Sequence, residues 1–388
     1  MNSVSRRNAV KTLGASALAG SLPRGASAAF NDWPRVEGPD TPKLCLGIGP
    51  LNEVALREVK QLGVNYVLRG GPRDLPWRED DLQKMMDTAK AAGLQLGNLM
   101  ISGFPNTLYG RPGRDEEIDK VRQSIRAAGK VGLPVIEYNF YAHRAMEGYH
   151  YEAGRASSGY TAFDYERMKG LEPLPNEGAH TLDEMWNNVS YFLKAVVPAA
   201  KEANVRLALH PNDPPAPISR GSGQIMGTVA GWKKLVDIVP SPFNGITFDC
   251  GVTREMGENP VEVCRYFMKK DCINHVHYRN VRVRKPYEQY SEVFIDEGQV
   301  DMFGVMRELV KLKYPRLMYP EHPRALDVDK DDSQLTSSAF KSTYPGGGSY
   351  AGYAFNVGYA RAMMQAALES AQKRKGRGCT PPDKEGNH

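Results

Sequence analysis

Four short apolar runs in the second half of the chain each end in a residue able to bind a metal ion. Residues 205–210 close on His210, 245–250 on Cys250, 273–279 carry His277, and 316–322 close on Glu321 and His322. Two imidazoles, a thiolate and a carboxylate make a ligand set for one divalent cation. These residues lie far apart in sequence, so no single helix could present them together. A fold that brings the C-terminal ends of successive strands to one place would do so. A mixed nitrogen, sulfur and oxygen set would hold Zn²⁺ or Cu²⁺ more tightly than Mn²⁺.

The elements that would gather these ends are legible as an alternation. Apolar runs at 43–49, 65–70, 94–102 and 134–140 precede the four already named. Between the runs lie segments such as "EVALREVKQLG", "DDLQKMMDTAKAAG" and "EIDKVRQSIRAAGKVG", with apolar residues three and four apart and glycine at the end. That spacing predicts amphipathic helices with glycine C-caps. Eight strand–helix units, the last helix over 352–371, predict an α/β fold of the (β/α)8 TIM barrel kind, a catalytic domain over 29–372. A doubly wound open sheet would need a glycine fingerprint after the first strand, and "GIGPLNE" does not supply one. The longest irregular stretch, 141–181, follows the fourth strand and is expected to form a lid over the barrel mouth.

Bulk composition narrows the partners. The 388 residues carry a formal net charge of +5, much of it from Arg6, Arg7, Lys11 and Arg24 in an acid-free N-terminal segment. That segment, "SRRNAVKTLGASALAGSL" followed by "ASA", matches a twin-arginine export signal over 1–28, and a periplasmic location is expected. Its apolar part is too short for a stable transmembrane helix. Lys373, Arg374, Lys375 and Arg377 open a basic stretch, 373–388, expected as a flexible tail. Without the signal the charge is near balance, so no nucleic acid partner is expected, nor a membrane for the mature form. A homo-oligomer is left open. Five cysteines in no CxxC pair do not suggest a disulfide framework.

The motifs "HPNDPPAPI", "FDCG", "HVHYRN", "DEGQVDMFGVMREL", "YPEH" and "GGGSYAGYAFNVGYARAM" occur in this order, with "YNF" and "TLDEMWNNVSYFLKAVVPAAKEANVRLALH" before them. In these the chain resembles the mannonate dehydratase family, metal-dependent barrels of the xylose isomerase-like kind. The resemblance implies that His210, Cys250 and His277 are metal ligands, and that Glu321 replaces the aspartate that is the family's fourth. It implies a Mn²⁺ or Fe²⁺ cofactor, a small sugar acid as substrate, and a family tyrosine at Tyr350. The chain departs from the pattern at Tyr319 (arginine in the family), Pro323 (glycine) and Phe355 (arginine). The family's tryptophan–threonine–arginine pattern is missing from "YAHRAMEGYHYE".

The reaction so implied is loss of water from an acid sugar, most simply D-mannonate to 2-keto-3-deoxy-D-gluconate. The proton beside a carboxylate is poorly acidic, and a divalent cation on the carboxylate oxygens would neutralise the charge that its removal creates. Glu321 or His322 would move that proton, Tyr350 would assist hydroxide departure, and Asn139 and Arg279 would orient the substrate. Asp213 reads slightly better as a turn residue than as a partner of the site. Two other readings are compatible with the residues. One is a xylose isomerase-like isomerase or epimerase, which Glu137 with Glu321 favours and Cys250 opposes. The other is a sugar-acid-binding protein without turnover.

Overall fold

The computed structural model describes residues 37–330 and 339–377. Its elements in chain order begin β1 (Lys43–Gly47), α1 (Glu53–Gln61), β2 (Tyr66–Gly70), α2 (Glu79–Ala91), β3 (Gln95–Ile101), α3 (Pro105–Tyr109), α4 (Arg114–Lys130) and β4 (Val135–Tyr138). Then come β5 (Tyr149–Ala153), β6 (Gly159–Asp164), α5 (Leu182–Ala203), β7 (Arg206–Leu209), the short pair β8 (Ile218–Ser219) and β9 (Ser222–Gly223), and α6 (Val229–Ile238). The chain continues with β10 (Asn244–Asp249), α7 (Cys250–Glu255), α8 (Pro260–Lys269), β11 (Ile273–His277), β12 (Val281–Lys285) and β13 (Gln289–Glu292). It closes with α9 (Met302–Lys311), β14 (Leu317–Tyr319), α10 (Asp327–Lys330) and α11 (Tyr350–Arg377).

Eight parallel strands form a closed ring in the order β1, β14, β11, β10, β7, β4, β3, β2. Closure is literal: β1 pairs with both β2 and β14. Strands covered on both faces read as continuous apolar runs, and all six residues of β10, Asn-Gly-Ile-Thr-Phe-Asp, are buried. The polar members of such runs fill the ring. Glu137 on β4 accepts from Asn98 on β3 (2.9 Å) and Thr247 on β10 (2.6 Å), so the barrel interior beneath the mouth is hydrogen-bonded rather than purely apolar.

The helices cover the outside. In α5, Thr181 and Glu184 form a reciprocal capping box, and Met185, Val189, Phe192, Leu193 and Val196 make a buried stripe. Each such side chain contributes about 1.5–3 kcal/mol on burial. Losing the cap would cost about 1 kcal/mol. Asn204 ends the helix in the left-handed region (φ 55°), turning the chain directly into β7.

A second sheet, in the order β12, β13, β6, β5, is antiparallel throughout. Two of its strands come from the 141–181 insertion and two from the segment between β11 and α9. Tyr149, Phe163 and Tyr290 form its apolar face, with Phe163 and Tyr290 stacked at 5.2 Å. Bridges from Gly159 to Ala325 and from Thr161 Oγ1 to Arg324 tie it to the segment after β14.

The last helix reaches Arg377, beyond residue 371 where the sequence pattern ends it. The segments read as export signal and, from 378 onward, as tail lie outside the described residues. Among the described residues no helix is long and apolar enough to cross a membrane. Cys45, Cys250, Cys264 and Cys272 are buried and free.

Candidate metal centre

The backbone N–H of His210, the residue after β7, donates to Tyr138 O (2.9 Å), which fixes the strand end against β4. The ring Nδ1 lies 2.7 Å from Pro211 O. A carbonyl only accepts, so Nδ1 carries the proton and Nε2 presents a lone pair. That lone pair faces His277 Nδ1 at 3.2 Å. His277 Nδ1 is also 3.0 Å from Glu321 Oε1 and 3.9 Å from Asp249 Oδ2. Donor atoms of His210, Asp249 and His277 all lie within 4.8 Å of one another. On its other side His277 Nε2 is 3.7 Å from Glu137 Oε1, a carboxylate placed to orient a ligating ring.

The residues fit a divalent cation. Glu321 Oε1 is buried and, despite its closeness to His277, has no hydrogen bond of good geometry. Two imidazole nitrogens and two carboxylates converging in a buried space are stable when a cation lies among them. Burial and the His277 charge push His210 down to about 4, so its ring is neutral and able to ligate. For His277 burial acts downward, but Glu321, Glu137 and Asp249 outweigh it and carry the ring up to about 9. Burial pushes Asp249 up to about 6 against the pull of Arg279. Burial acts upward on Glu321 too, but His277 and His322 hold it well below the usual carboxylate range.

The structure brings His210, His277 and Glu321 together as the sequence suggested, but not Cys250. Its sulfur is buried against the carbonyls of His277 (3.4 Å) and Arg279 (3.3 Å), and burial pushes the thiol up. The cause is strand parity. Thr247 and Asp249 share the inward face of β10, whereas Cys250 is the first residue of α7. Asp249 is therefore the residue of this strand end whose donor atom faces the cluster. Its Oδ1 accepts from Val252 N (2.8 Å) as the N-cap of α7, and its Oδ2 faces the cluster. The converging donors are two nitrogens and two oxygens, which as ligands would lack the preference for soft metals that a thiolate imposes.

Arg279 does not touch the cavity. It is buried, with Glu255 at 2.7 Å, Asp249 at 3.0 Å, Glu321 at 3.3 Å and Asp213 at 3.4 Å. Its task is to hold two of the donor carboxylates in place. Gly251 makes room for it: a Cβ there would lie 2.8 Å from Arg279 Nη1. Asp213, read as a turn residue, is a buried partner of this network and accepts from Tyr149 OH at 2.8 Å. Tyr350 is also displaced from its expected role. Its hydroxyl donates to Glu58 O (3.3 Å) and Gln61 Oε1 (3.2 Å) of α1, outside the ring. One helical turn on, Tyr353 lines the cavity and meets Tyr319 OH at 2.5 Å.

The cavity above the cluster has two adjoining lobes of about 420 and 220 Å³. Glu137, Tyr319, Glu321, His322 and Tyr344 line both. Asn139 and Arg144 line the smaller, so Asn139 stands where substrate contact was expected. His322 is held in the left-handed region (φ 45°), an unfavourable backbone for histidine that persists only where packing enforces it. Its Nδ1 is 3.0 Å from Glu292 Oε2 on β13, and its Nε2 is 3.6 Å from Glu321 Oε2. Burial acts downward on this ring, but Glu292 and Glu321 raise it above the usual histidine range. Tyr344 packs over it with ring centres 5.0 Å apart.

The sequence reading missed Asp249, Glu292, Tyr344 and Arg144. For Asp249 a signal existed: an aspartate ahead of a short helix is an N-cap, and an N-cap marks the strand end. Glu292 and Tyr344 reach the site through pairings between distant segments, which no local pattern announces.

Comparison with known proteins gives the family. The model of the D-mannonate dehydratase (UxuA) family matches residues 45–176 and 158–375. A mannonate dehydratase of Streptococcus equi subsp. zooepidemicus is 27% identical over 333 residues, 76% of this chain and 90% of that protein. One from Thermotoga petrophila is 29% identical over 319 residues, 71% and 87% of the two chains. The crystal structure of mannonate dehydratase from Streptococcus suis serotype 2 superposes with a TM-score of 0.74 at 24% identity, covering 85% of this chain and 96% of that one. An L-ribulose 3-epimerase shares the fold alone, at TM-score 0.53 and 13% identity, covering 88% of this chain and 100% of the other.

Proposed function

The chain belongs to the D-mannonate dehydratase family, and on that premise we propose that it removes water from D-mannonate to give 2-keto-3-deoxy-D-gluconate. The observation that carries the reading is the convergence of His210, Asp249, His277 and Glu321 beneath a cavity that also exposes His322. Those four residues would hold Mn²⁺ or Fe²⁺, whose charge, when bound, offsets the charge that develops on the substrate carboxylate. The charge of a bound cation would oppose the pull of Glu292 and Glu321 on His322, and the ring in its neutral form, held beside Glu292, takes the proton from C2. The C3 hydroxyl leaves with a proton as water, and the enol gains a proton at C3 to become the 2-keto acid. Burial pushes the Tyr344 phenol up, so it stays protonated and can supply the proton to the departing hydroxyl. Asn139 and Arg144 orient the acid and its hydroxyls from the smaller lobe. The paired arginines of 1–28 support catalysis in the periplasm, with export of the folded protein.

A second reading has one specific observation in its favour. With Asp249 in place of a thiolate, the main objection to a sugar isomerase or epimerase is gone. One experiment separates the two: Mn²⁺-loaded protein is incubated with D-mannonate and, separately, with aldoses and ketoses. Release of a 2-keto-3-deoxy acid from D-mannonate is the expected result. A sugar interconverted without loss of water, and no keto acid, would overturn the dehydratase reading.

A further inference from the structure

The larger lobe is lined by two arginines that differ in how they are satisfied. Arg324 is fully engaged: it reaches Glu292 Oε2 at 2.8 Å, Thr161 Oγ1 at 2.6 Å and His322 O at 2.8 Å. Arg69, at the end of β2, makes one hydrogen bond, from Nε to Gly70 O at 3.3 Å, and no ion pair with any described residue. It is partly buried, and burial pulls its pKa down. A partly buried guanidinium on the cavity wall with no carboxylate partner among the described residues has donors free for a ligand anion.

The position of this charge matters. The reacting groups Glu321 and His322 stand where the two lobes meet. In the smaller lobe Arg144 donates through Nε to Asp213 O (2.9 Å) and pairs through Nη2 with Asp213 Oδ2 (3.7 Å), which leaves Nη1 for the reacting carboxylate. A six-carbon acid held there by C1 would have the adjoining larger lobe open to its other end. Resting on the reading of the site as a sugar-acid dehydratase, we propose that Arg69 forms a subsite for an anionic group at the distal carbon of the substrate. The preferred ligand is then an acid sugar with a second anion at C6, either a carboxylate (a hexarate) or a phosphate (a 6-phosphohexonate). D-mannonate, with a hydroxyl at C6, binds less well.

The test is titration calorimetry of Mn²⁺-loaded full-length protein with D-mannonate, the hexarate of the same configuration and D-mannonate 6-phosphate. The same titrations are run on Arg69→Met and Arg69→Lys, which disturb only one local hydrogen bond. One of the two dianionic acids should bind the native protein roughly 10- to 100-fold more tightly than D-mannonate, and which one does so identifies the anion. Arg69→Met should bring that ratio close to one, and Arg69→Lys should keep part of it. A native ratio near one, or a ratio unchanged in Arg69→Met, overturns the subsite. Keto-acid release is read in parallel. A retained binding preference with no keto acid from any ligand removes the dehydratase reading and keeps the subsite, whereas keto acid from D-mannonate without a preference removes the subsite alone.

Discussion

Replacing Asp249 with asparagine, beside Cys250 with alanine, isolates the donor that the fold selects. Asparagine caps helices about as well as aspartate, so the bond to Val252 N that starts α7 survives. The charged hydrogen bond from Arg279 Nε at 3.0 Å is weakened, a loss of about 1.5–3 kcal/mol. Arg279 keeps Glu255, Glu321 and Asp213, so the larger cost of stranding a buried charge does not apply. Metal binding should suffer more. With Mn²⁺ at about 100 times the native Kd, ligation stabilises the fold by about 2.7 kcal/mol, and a ~100-fold weaker site leaves only ~0.4 kcal/mol. In Cys250→Ala the sulfur lost touches only two carbonyls, for a packing cost of about 1 kcal/mol with the Mn²⁺ increment intact. Thermal unfolding with and without Mn²⁺, and metal content after gel filtration, measure both quantities. An asparagine variant that keeps its metal beside an alanine variant that loses it would refute the assignment.

Tyr350→Phe should leave keto-acid turnover within about twofold of native, because its hydroxyl meets only α1. Tyr344→Phe should lower kcat by about 10²-fold or more while KM changes little, as expected for a lost proton donor in steady-state kinetics. Arg279→Met should strand the buried carboxylates around it and cost about 3–5 kcal/mol in denaturant unfolding, a stability defect rather than a KM defect. On the far side of the barrel, burial would raise the Asp271 carboxyl, but hydrogen bonds from Arg206 (2.8 Å) and Arg316 (2.7 Å) hold it below the usual range. Its contribution is therefore complete above about pH 4 and lost as pH falls below that. Asp271→Asn should flatten this acid limb by no more than about 1 kcal/mol, the side chain being half exposed.

The barrel was legible because parallel strands buried on both faces must read as apolar runs, and the helices between them must carry a buried stripe. His210, His277 and Glu321 followed from the rule that side chains at the C-terminal ends of strands converge. The same rule pointed to Cys250 where the structure turns Asp249, one residue earlier, toward the cluster, because strand ends are read only to within a residue or two and one residue reverses the face. Tyr350 was misplaced for the helical counterpart of that reason: Tyr353, one turn on, faces the cavity. Arg279 was correctly singled out but given the wrong task. Its partners Asp213 and Glu255 lie in other loops, and nothing local distinguishes a guanidinium that meets substrate from one that braces carboxylates. The sheet formed by 149–164 with 281–292 was invisible as a pairing, since neither half specifies its partner.

That shared sheet constrains how this enzyme could be altered. Each half satisfies the other's backbone hydrogen bonds, and the strand carrying Glu292 is pinned between β12 and β6. Grafting a relative's version of one insertion alone would leave an unmatched edge and let the histidine brace drift, so recombination succeeds only when both segments travel as a pair. The sheet is in effect a single heritable module written in two places in the chain.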